Sequence, residues 1–113
     1  MPQPDDPTRL PHILDAARDI SDFLRGRTRQ DLDRDRMLVL ALIKSVENIG
    51  EAASKISPEG RSRWPHIPWR QASSMRNRLV HGYFEIDLDR VWDSATMDVP
   101  ALVPLVEAAL KSG

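Results

Sequence analysis

The segment from Asp31 to Ile56 constrains the fold more than any other part of this 113-residue chain. Its apolar residues form two neighbouring stripes, and the members of each stripe recur at intervals of three and four residues. The first stripe consists of Leu38, Leu42, Ser45, Ile49, Ala52 and Ile56, and the second of Val39, Ile43, Val46, Gly50 and Ala53. A helix with so wide an apolar face must be covered by more than one neighbour. The sequence therefore predicts an all-α bundle in which this helix is central.

Gly50 is unusual inside this helix, since glycine weakens a helix by about 1 kcal/mol relative to alanine. We expect another backbone to approach closely at this position. The remaining face of the helix carries Glu47 and Glu51. Glu51 can form an ion pair with Lys55 one turn later on a solvated surface, or either glutamate can face a neighbouring helix.

Two further segments precede and follow the central helix with helical patterns. An apolar series predicts a helix over 7–25, capped by Asp6, after a flexible arm of residues 1–5. A proline-rich loop from Trp64 to Trp69 leads into a third helix from Trp69 to Gly82, where glycine tolerates a left-handed C-cap. The tryptophans of the loop can pack in the core or stack on nucleic-acid bases.

The last segment starts at Asp87, a helix cap, and continues as an apolar series at helical spacing. Pro100 and Pro104 must kink or split it, because proline cannot donate a backbone hydrogen bond inside a helix. No strand pattern of useful length is present. The prediction is one domain, residues 1–113, folded as a bundle of four or five helices.

The charge of the chain is unevenly distributed. The formal net charge is −1 and the pI is about 6.3, but the segment from Gly60 to Phe84 contains five arginines and no acidic residue. Such a basic segment suits a phosphate chain, unless its arginines lie on several faces and pair with acids elsewhere. The chain has no cysteine, which excludes disulfides and thiolate sites. Because no segment is long and apolar enough to span a membrane, we expect a cytoplasmic protein with no membrane partner.

Within the basic segment, Arg76, His81 and Tyr83 follow the pattern Arg-x4-His-x-Tyr. Arginine carries a permanent cation with a planar fork of donors suited to phosphate, and histidine is the side chain whose unperturbed pKa lies near neutrality. These two residue types can cleave a phosphodiester. A structural interpretation is also open, in which the histidine interacts with a helix C-terminus and the arginine stem packs on a tryptophan.

On an ideal helix, Arg76 and His81 lie about 140° apart, whereas Asn77 and His81 are one turn apart. The length of the arginine, a loosening of the helix at Gly82, or the pairing of two copies of the chain could bring the first two together. Asn77 would then hold the imidazole in one tautomer.

Several segments in order resemble HepT-like proteins of the HEPN superfamily, and the resemblance covers nearly the whole chain from Leu10 onwards. The segments are Asn48-Ile49-Gly50-Glu51-Ala52-Ala53, Ile67-Pro68-Trp69, Met75 to Phe84, and Val91-Trp92. The resemblance implies a helical homodimer that serves as the toxin of a type VII-like toxin–antitoxin module. It also implies RNA cleavage without a metal or other cofactor, and a nucleotidyltransferase antitoxin as partner.

The resemblance assigns the catalytic roles to Arg76 and His81. An RNA 2′-hydroxyl would attack the adjacent phosphorus, His81 would move the proton, and Arg76 would neutralise the charge that develops. Tyr83 is implied to be the acceptor of AMP transferred by the antitoxin, which would silence the nuclease. Alternatively, Tyr83 is an aromatic cap packed on Trp69 or Phe84.

Four other residues are candidates for supporting roles. Glu47 or Glu51 could pair with Arg76, and Arg70 and Arg78 could bind RNA phosphates. The histidines are too far apart in the sequence to suggest a metal site. Two alternatives to a nuclease stay open: a noncatalytic dimeric module that binds RNA or nucleotide beside a nucleotidyltransferase, and a purely structural helical dimer.

Overall fold

The computed structural model describes residues 6–82 and 85–112, and it confirms an all-α fold. Three long helices form the bundle: α1 (Asp6–Leu24), α3 (Arg36–Ser54) and α7 (Val99–Lys111). Four short helices connect them: α2 (Asp31–Arg34), α4 (Pro58–Arg63), α5 (Trp69–Ser74) and α6 (Leu88–Asp93). The described residues also contain one antiparallel pair of two-residue strands, β1 (Val80–His81) and β2 (Glu85–Ile86).

Helix α3 is the central helix of the bundle, as its two apolar stripes predict. It packs against α1 and α5, and its residues Leu42, Val46, Ile49 and Ala53 are completely buried. The predicted single helix from Asp31 to Ile56 is nevertheless wrong at its start. Asp35 interrupts it with an extended conformation, and its carboxylate accepts a hydrogen bond of 3.1 Å from the backbone N–H of Leu38. This cap separates α2 from α3.

The close backbone approach predicted at Gly50 is confirmed. A Cβ atom at this position would lie 3.1 Å from the carbonyl oxygen of Ser73 and 3.4 Å from that of Ala72. Both carbonyls belong to the last residues of α5. The missing side chain therefore lets α5 lie directly on the central helix.

Asp6 is the first residue of α1 rather than the residue that caps it. Its buried carboxylate accepts hydrogen bonds from the backbone N–H of Ser57, at 2.9 Å, and from the Ser57 hydroxyl. The same hydroxyl accepts from the backbone N–H of Gly60 and so caps α4. Asp6 thus joins the starts of two helices that are about fifty residues apart in the chain.

The aromatic loop between α4 and α5 belongs to the core. Trp64 and Trp69 are buried, and the indole N–H of Trp69 donates to the Trp64 carbonyl at 3.0 Å. Core packing, rather than base stacking, is therefore the interpretation that the structure confirms for these two residues.

The last segment stays helical from Leu88 to Lys111, although its hydrogen-bond pattern changes. A π-helical turn over Ser94–Asp98 joins α6 to α7, whose second residue is Pro100 and whose interior contains Pro104. Proline cannot donate a backbone hydrogen bond, and the π-helical turn changes the hydrogen-bond pattern of the helix just where Pro100 enters it. None of the helices in the described ranges is long and apolar enough to cross a membrane.

Candidate active site

The arginine of the motif lies on a short 3₁₀ helix and not on a continuation of α5. The predicted helix from Trp69 to Gly82 is wrong, because α5 ends at Ser74 and a 3₁₀ helix occupies Met75–Arg78. The Ser73 and Ser74 hydroxyls donate back to the carbonyls of Trp69 and Arg70 at 2.7 and 2.9 Å, a contact that often bends a helix. Met75 is buried while the three residues after it are exposed.

Arg76 is held by the central helix. Its Nε donates a hydrogen bond of 3.1 Å to Oε2 of Glu47, and Lys44 lies 3.9 Å from the other carboxylate oxygen. The sequence predicts that Glu47 or Glu51 pairs with Arg76, and the structure shows the ion pair with Glu47. In the described part of the chain, the terminal nitrogens of Arg76 have no hydrogen-bond partner. Such a pair of guanidinium donors can bind a phosphate.

His81 lies on β1, at the turn of a hairpin. Val80 pairs with Ile86 and His81 with Glu85, and Gly82 adopts a φ of 70° that allows the chain to turn. The imidazole is 63% exposed, and its Nε2 lies 2.9 Å from Oδ2 of Asp87. The ring is thus open to a ligand and held by one carboxylate.

Asp87 is fixed by three contacts besides its position at the start of α6. Its Oδ1 accepts from the backbone N–H of Arg90 at 3.1 Å, its own N–H donates to the Leu79 carbonyl at 2.8 Å, and Oδ2 contacts His81. The backbone N–H of Arg90, followed by the His81 ring, lowers the pKa of Asp87 below its ordinary value of 3.8. The group is therefore a carboxylate at neutral pH and can only accept hydrogen bonds.

Asp87 is the residue at this site that the sequence suggests only as a helix cap. The cap is confirmed, but the contact with His81 depends on the hairpin that brings the two residues together. The signal in the sequence is Gly82, one position after the histidine and five before the aspartate.

Asn77 does not have the geometry that a continuous helix would give it. Because the segment is 3₁₀ up to Arg78 and extended from Val80, Asn77 and His81 are not one α-helical turn apart. The ring nitrogen Nε2 contacts Asp87 instead. Tyr83 lies outside the described residues.

The other predicted site residues lie at different distances from the motif. Arg78 shares the 3₁₀ helix with Arg76 and donates to the Gln71 carbonyl at 3.2 Å, and Arg70 is exposed on α5. Of the two glutamates proposed for Arg76, Glu51 forms the ion pair with Lys55 that the sequence also predicts, at 3.0 Å. The hydrogen bond from Lys55 lowers the pKa of Glu51, which lines a separate groove between α1 and α3.

An exposed imidazole with a carboxylate on one nitrogen can exchange a proton with a ligand through its other nitrogen. An arginine whose terminal nitrogens face solvent can bind and neutralise a phosphate. Within residues 6–82 and 85–112, no three acidic or histidine side chains are grouped so that they could hold a metal ion. Side chains of these two types can carry out acid–base catalysis beside a phosphate.

These features define a helical-bundle protein of the HEPN superfamily. The family model for ribonuclease HepT-like proteins matches residues 13–109, and the chain belongs to this family. It is 32% identical over 111 residues to "Putative RNase MJ1216" of Methanocaldococcus jannaschii, covering 98% of this chain and 92% of that protein. It is 34% identical over 93 residues to "Probable ribonuclease HepT" of Thermococcus cleftensis, covering 82% and 84% of the two chains. No solved structure is similar enough to this chain to count as a match.

Proposed function

We propose that this protein is a metal-independent endoribonuclease whose catalytic residues are Arg76 and His81. The proposal depends on one observation: Arg76 and His81 are both exposed to solvent, and each is held in place by a carboxylate. Arg76 pairs with Glu47, and His81 contacts Asp87. Membership of a ribonuclease family supports RNA as the substrate. RNA also carries its own nucleophile, the 2′-hydroxyl, so the protein has to supply only proton transfer and charge neutralisation.

The contact with Asp87 determines which nitrogen of His81 reacts. Because the carboxylate only accepts hydrogen bonds, the neutral ring carries its proton on Nε2, and Nδ1 has the free electron pair. Nδ1 takes the proton of the 2′-hydroxyl as that oxygen bonds to the adjacent phosphorus. The bond from phosphorus to the 5′-oxygen then breaks, and the leaving oxygen takes a proton from an imidazolium. The products are a 2′,3′-cyclic phosphate and a 5′-hydroxyl.

Asp87 and Glu47 act here as positioning residues. Asp87 stabilises the imidazolium that forms during the reaction, and Glu47 orients the guanidinium through Nε while the terminal nitrogens bind the phosphate. Arg70 and Arg78 add phosphate contacts on either side, in keeping with their exposure on neighbouring turns.

A homodimer is part of the proposal. Met37 and Leu40 are 82% and 46% exposed, and they lie on the same face of α3 as Glu47, at spacings of seven to ten residues. Covering these side chains would bring the active sites of two copies near each other. Two histidines could then divide the roles of base and acid. A heterodimer with one intact His81 that keeps full activity would contradict this division.

The biological role that we propose is that of a toxin inactivated by a nucleotidyltransferase antitoxin, which transfers AMP to Tyr83. Tyr83 follows His81 by two residues in the sequence, and a phosphate on its hydroxyl would add negative charge to this segment of the chain. Incubation with the antitoxin and ATP should raise the mass of the protein by one adenylyl group, and Tyr83→Phe should abolish the shift. An unshifted wild-type mass would contradict this role.

The decisive test of the nuclease is cleavage of a defined RNA in EDTA by protein purified without its antitoxin. Wild type and His66→Ala, a matched control at an exposed histidine outside the site, should both produce 2′,3′-cyclic phosphate ends. His81→Ala should not, although its circular dichroism should be that of the wild type. If none of the three cuts although all bind RNA, the noncatalytic binding module is the better description, provided that intact mass shows an unmodified Tyr83.

A further inference from the structure

A small pocket lies between α7 and the segment that carries Arg76. It has a volume of about 230 Å³, and its lining includes the apolar side chains of Ala72, Met75, Leu102 and Leu105. Ala72, Met75 and Leu102 belong to the hydrophobic core. We call it the α5–α7 pocket.

Two charged residues of opposite sign also line the α5–α7 pocket, Arg78 and Asp98. Both are exposed. Asp98 ends the π-helical turn, and its Oδ2 accepts a long hydrogen bond of 3.4 Å from the Ser94 hydroxyl. Among the described residues, no hydrogen bond to its Oδ1 is present. Such a pocket suits a nucleotide: the apolar floor can contact the face of a flat ring, the carboxylate can bind the polar edge of the ring, and the arginine can bind the attached phosphate.

The pocket is next to the proposed catalytic arginine. Met75, Arg76 and Arg78 belong to the same 3₁₀ helix, which rises about 2 Å per residue. With three residues per turn, Met75 and Arg78 share the side of this helix that lines the pocket, and Arg76 lies about a third of a turn away, on the side of Glu47. An RNA strand bound at Arg76 would reach the pocket by passing around this short helix. A base turned out of a single-stranded RNA could enter it while the phosphate chain stays on the arginines.

We propose that the α5–α7 pocket binds one nucleobase of the RNA substrate, and that guanine is preferred. The Watson–Crick edge of guanine has two adjacent N–H donors, and a carboxylate such as that of Asp98 can accept both. An apolar side chain of a protein partner would fill the floor of the pocket but would leave Asp98 without a donor. This inference rests on the proposed function, because it assumes an RNA at Arg76.

The test measures binding without cleavage, in the His81→Ala protein. Fluorescently labelled octamers of uridine with a single central guanosine, inosine or adenosine are titrated and followed by anisotropy. The guanosine octamer should bind about tenfold more tightly than the adenosine octamer, and inosine, which lacks one of the two donors, should lie between them. Equal affinity for all three octamers would overturn the proposal.

Two variants with matched controls test the pocket itself. Ala101→Phe places a ring at the exposed edge of the pocket and should abolish the preference for guanosine, while Ala108→Phe, on the same helix outside the pocket, should keep it. Asp98→Asn should reduce the preference about tenfold, and Asp93→Asn should not. If Ala101→Phe and Ala108→Phe behave alike, the base does not occupy the α5–α7 pocket.

Failure of the pocket and failure of the nuclease give different results. If the protein with His81 intact cleaves these octamers but the single-base preference is missing, the pocket proposal fails alone. A preference that Ala101→Phe removes, in a protein that never cleaves, would support the pocket and refute the nuclease.

Discussion

Replacement of Gly50 by alanine tests whether the contact between α3 and α5 shapes the active site. In an isolated helix, this substitution would stabilise the protein by about 1 kcal/mol, because glycine is a poor helix former. Here the new Cβ would lie 3.1 Å from the Ser73 carbonyl oxygen, closer than an ordinary van der Waals contact. The neighbouring atom is backbone, so it can move only if the end of α5 moves with it.

The crowding outweighs the gain in helix propensity. Forcing extra atoms into a packed contact costs about 1–3 kcal/mol. We therefore expect Gly50→Ala to lower the free energy of unfolding by about 1 kcal/mol and the melting temperature by about 4 °C. The displaced end of α5 leads directly into the 3₁₀ helix of Arg76, and the rate of RNA cleavage should fall roughly threefold to tenfold.

Urea unfolding and the RNA cleavage assay measure the two effects. Asn48→Ala is the matched control, since it places alanine at an exposed position of the same helix and should stabilise it by about 0.5 kcal/mol. If Gly50→Ala also stabilises the protein and leaves cleavage unchanged, α5 does not depend on this close contact.

Three further predictions concern other contacts. Asp87→Asn should slow RNA cleavage about 10- to 100-fold with little change in RNA affinity. Folding lowers the pKa of Asp87 below 3.8, so the ionised carboxylate stabilises the folded state above that pH. In thermal melts from pH 7 to 2, the wild type should therefore be more stable than Asp87→Asn at pH 7. This difference in stability should disappear as the pH falls through the lowered pKa. Asp6→Ala should cost about 2–4 kcal/mol in urea unfolding, and adding Ser57→Ala should cost about 1 kcal/mol more, because the second substitution also removes the hydroxyl that caps α4. Arg70→Ala should reduce the salt dependence of single-stranded RNA binding by about 0.7 in log–log slope, and an unchanged slope would rule out a phosphate contact.

The parts of the fold that follow from local patterns could be predicted from the sequence. The stripes of α3 fix which residues face the core, and a glycine inside such a helix indicates a close neighbour. The cap at Asp87 and the pairing of Arg76 with a glutamate of α3 also follow from residue type and spacing.

The end of α5 could not be predicted in the same way. The apolar spacing of a helix continues past Ser74, but the chain leaves the helix because Leu79 is buried and its carbonyl accepts the N–H of Asp87 from the next segment. A hairpin of two residues on each strand is too short to show alternation. The contact between His81 and Asp87 depends on this hairpin, which is why the sequence suggests Asn77 instead.

The helix break at Asp35 has a similar cause. Its side chain competes with the backbone for the N–H of Leu38, and aspartate is common both in helices and at their starts. When the residues on both sides are helical, the spacing of apolar residues does not show whether an aspartate lies inside one helix or caps the start of a second.

The ion pair between Arg76 and Glu47 joins residues that are 29 positions apart. During synthesis, the glutamate leaves the ribosome well before the arginine, and the two meet only when α5 has docked on α3 at Gly50. In an unfolded chain, Arg76 is present, but its guanidinium is not oriented by Glu47. For the proposed nuclease, activity would therefore require that α5 has docked on α3, and not only that Arg76 has been synthesised.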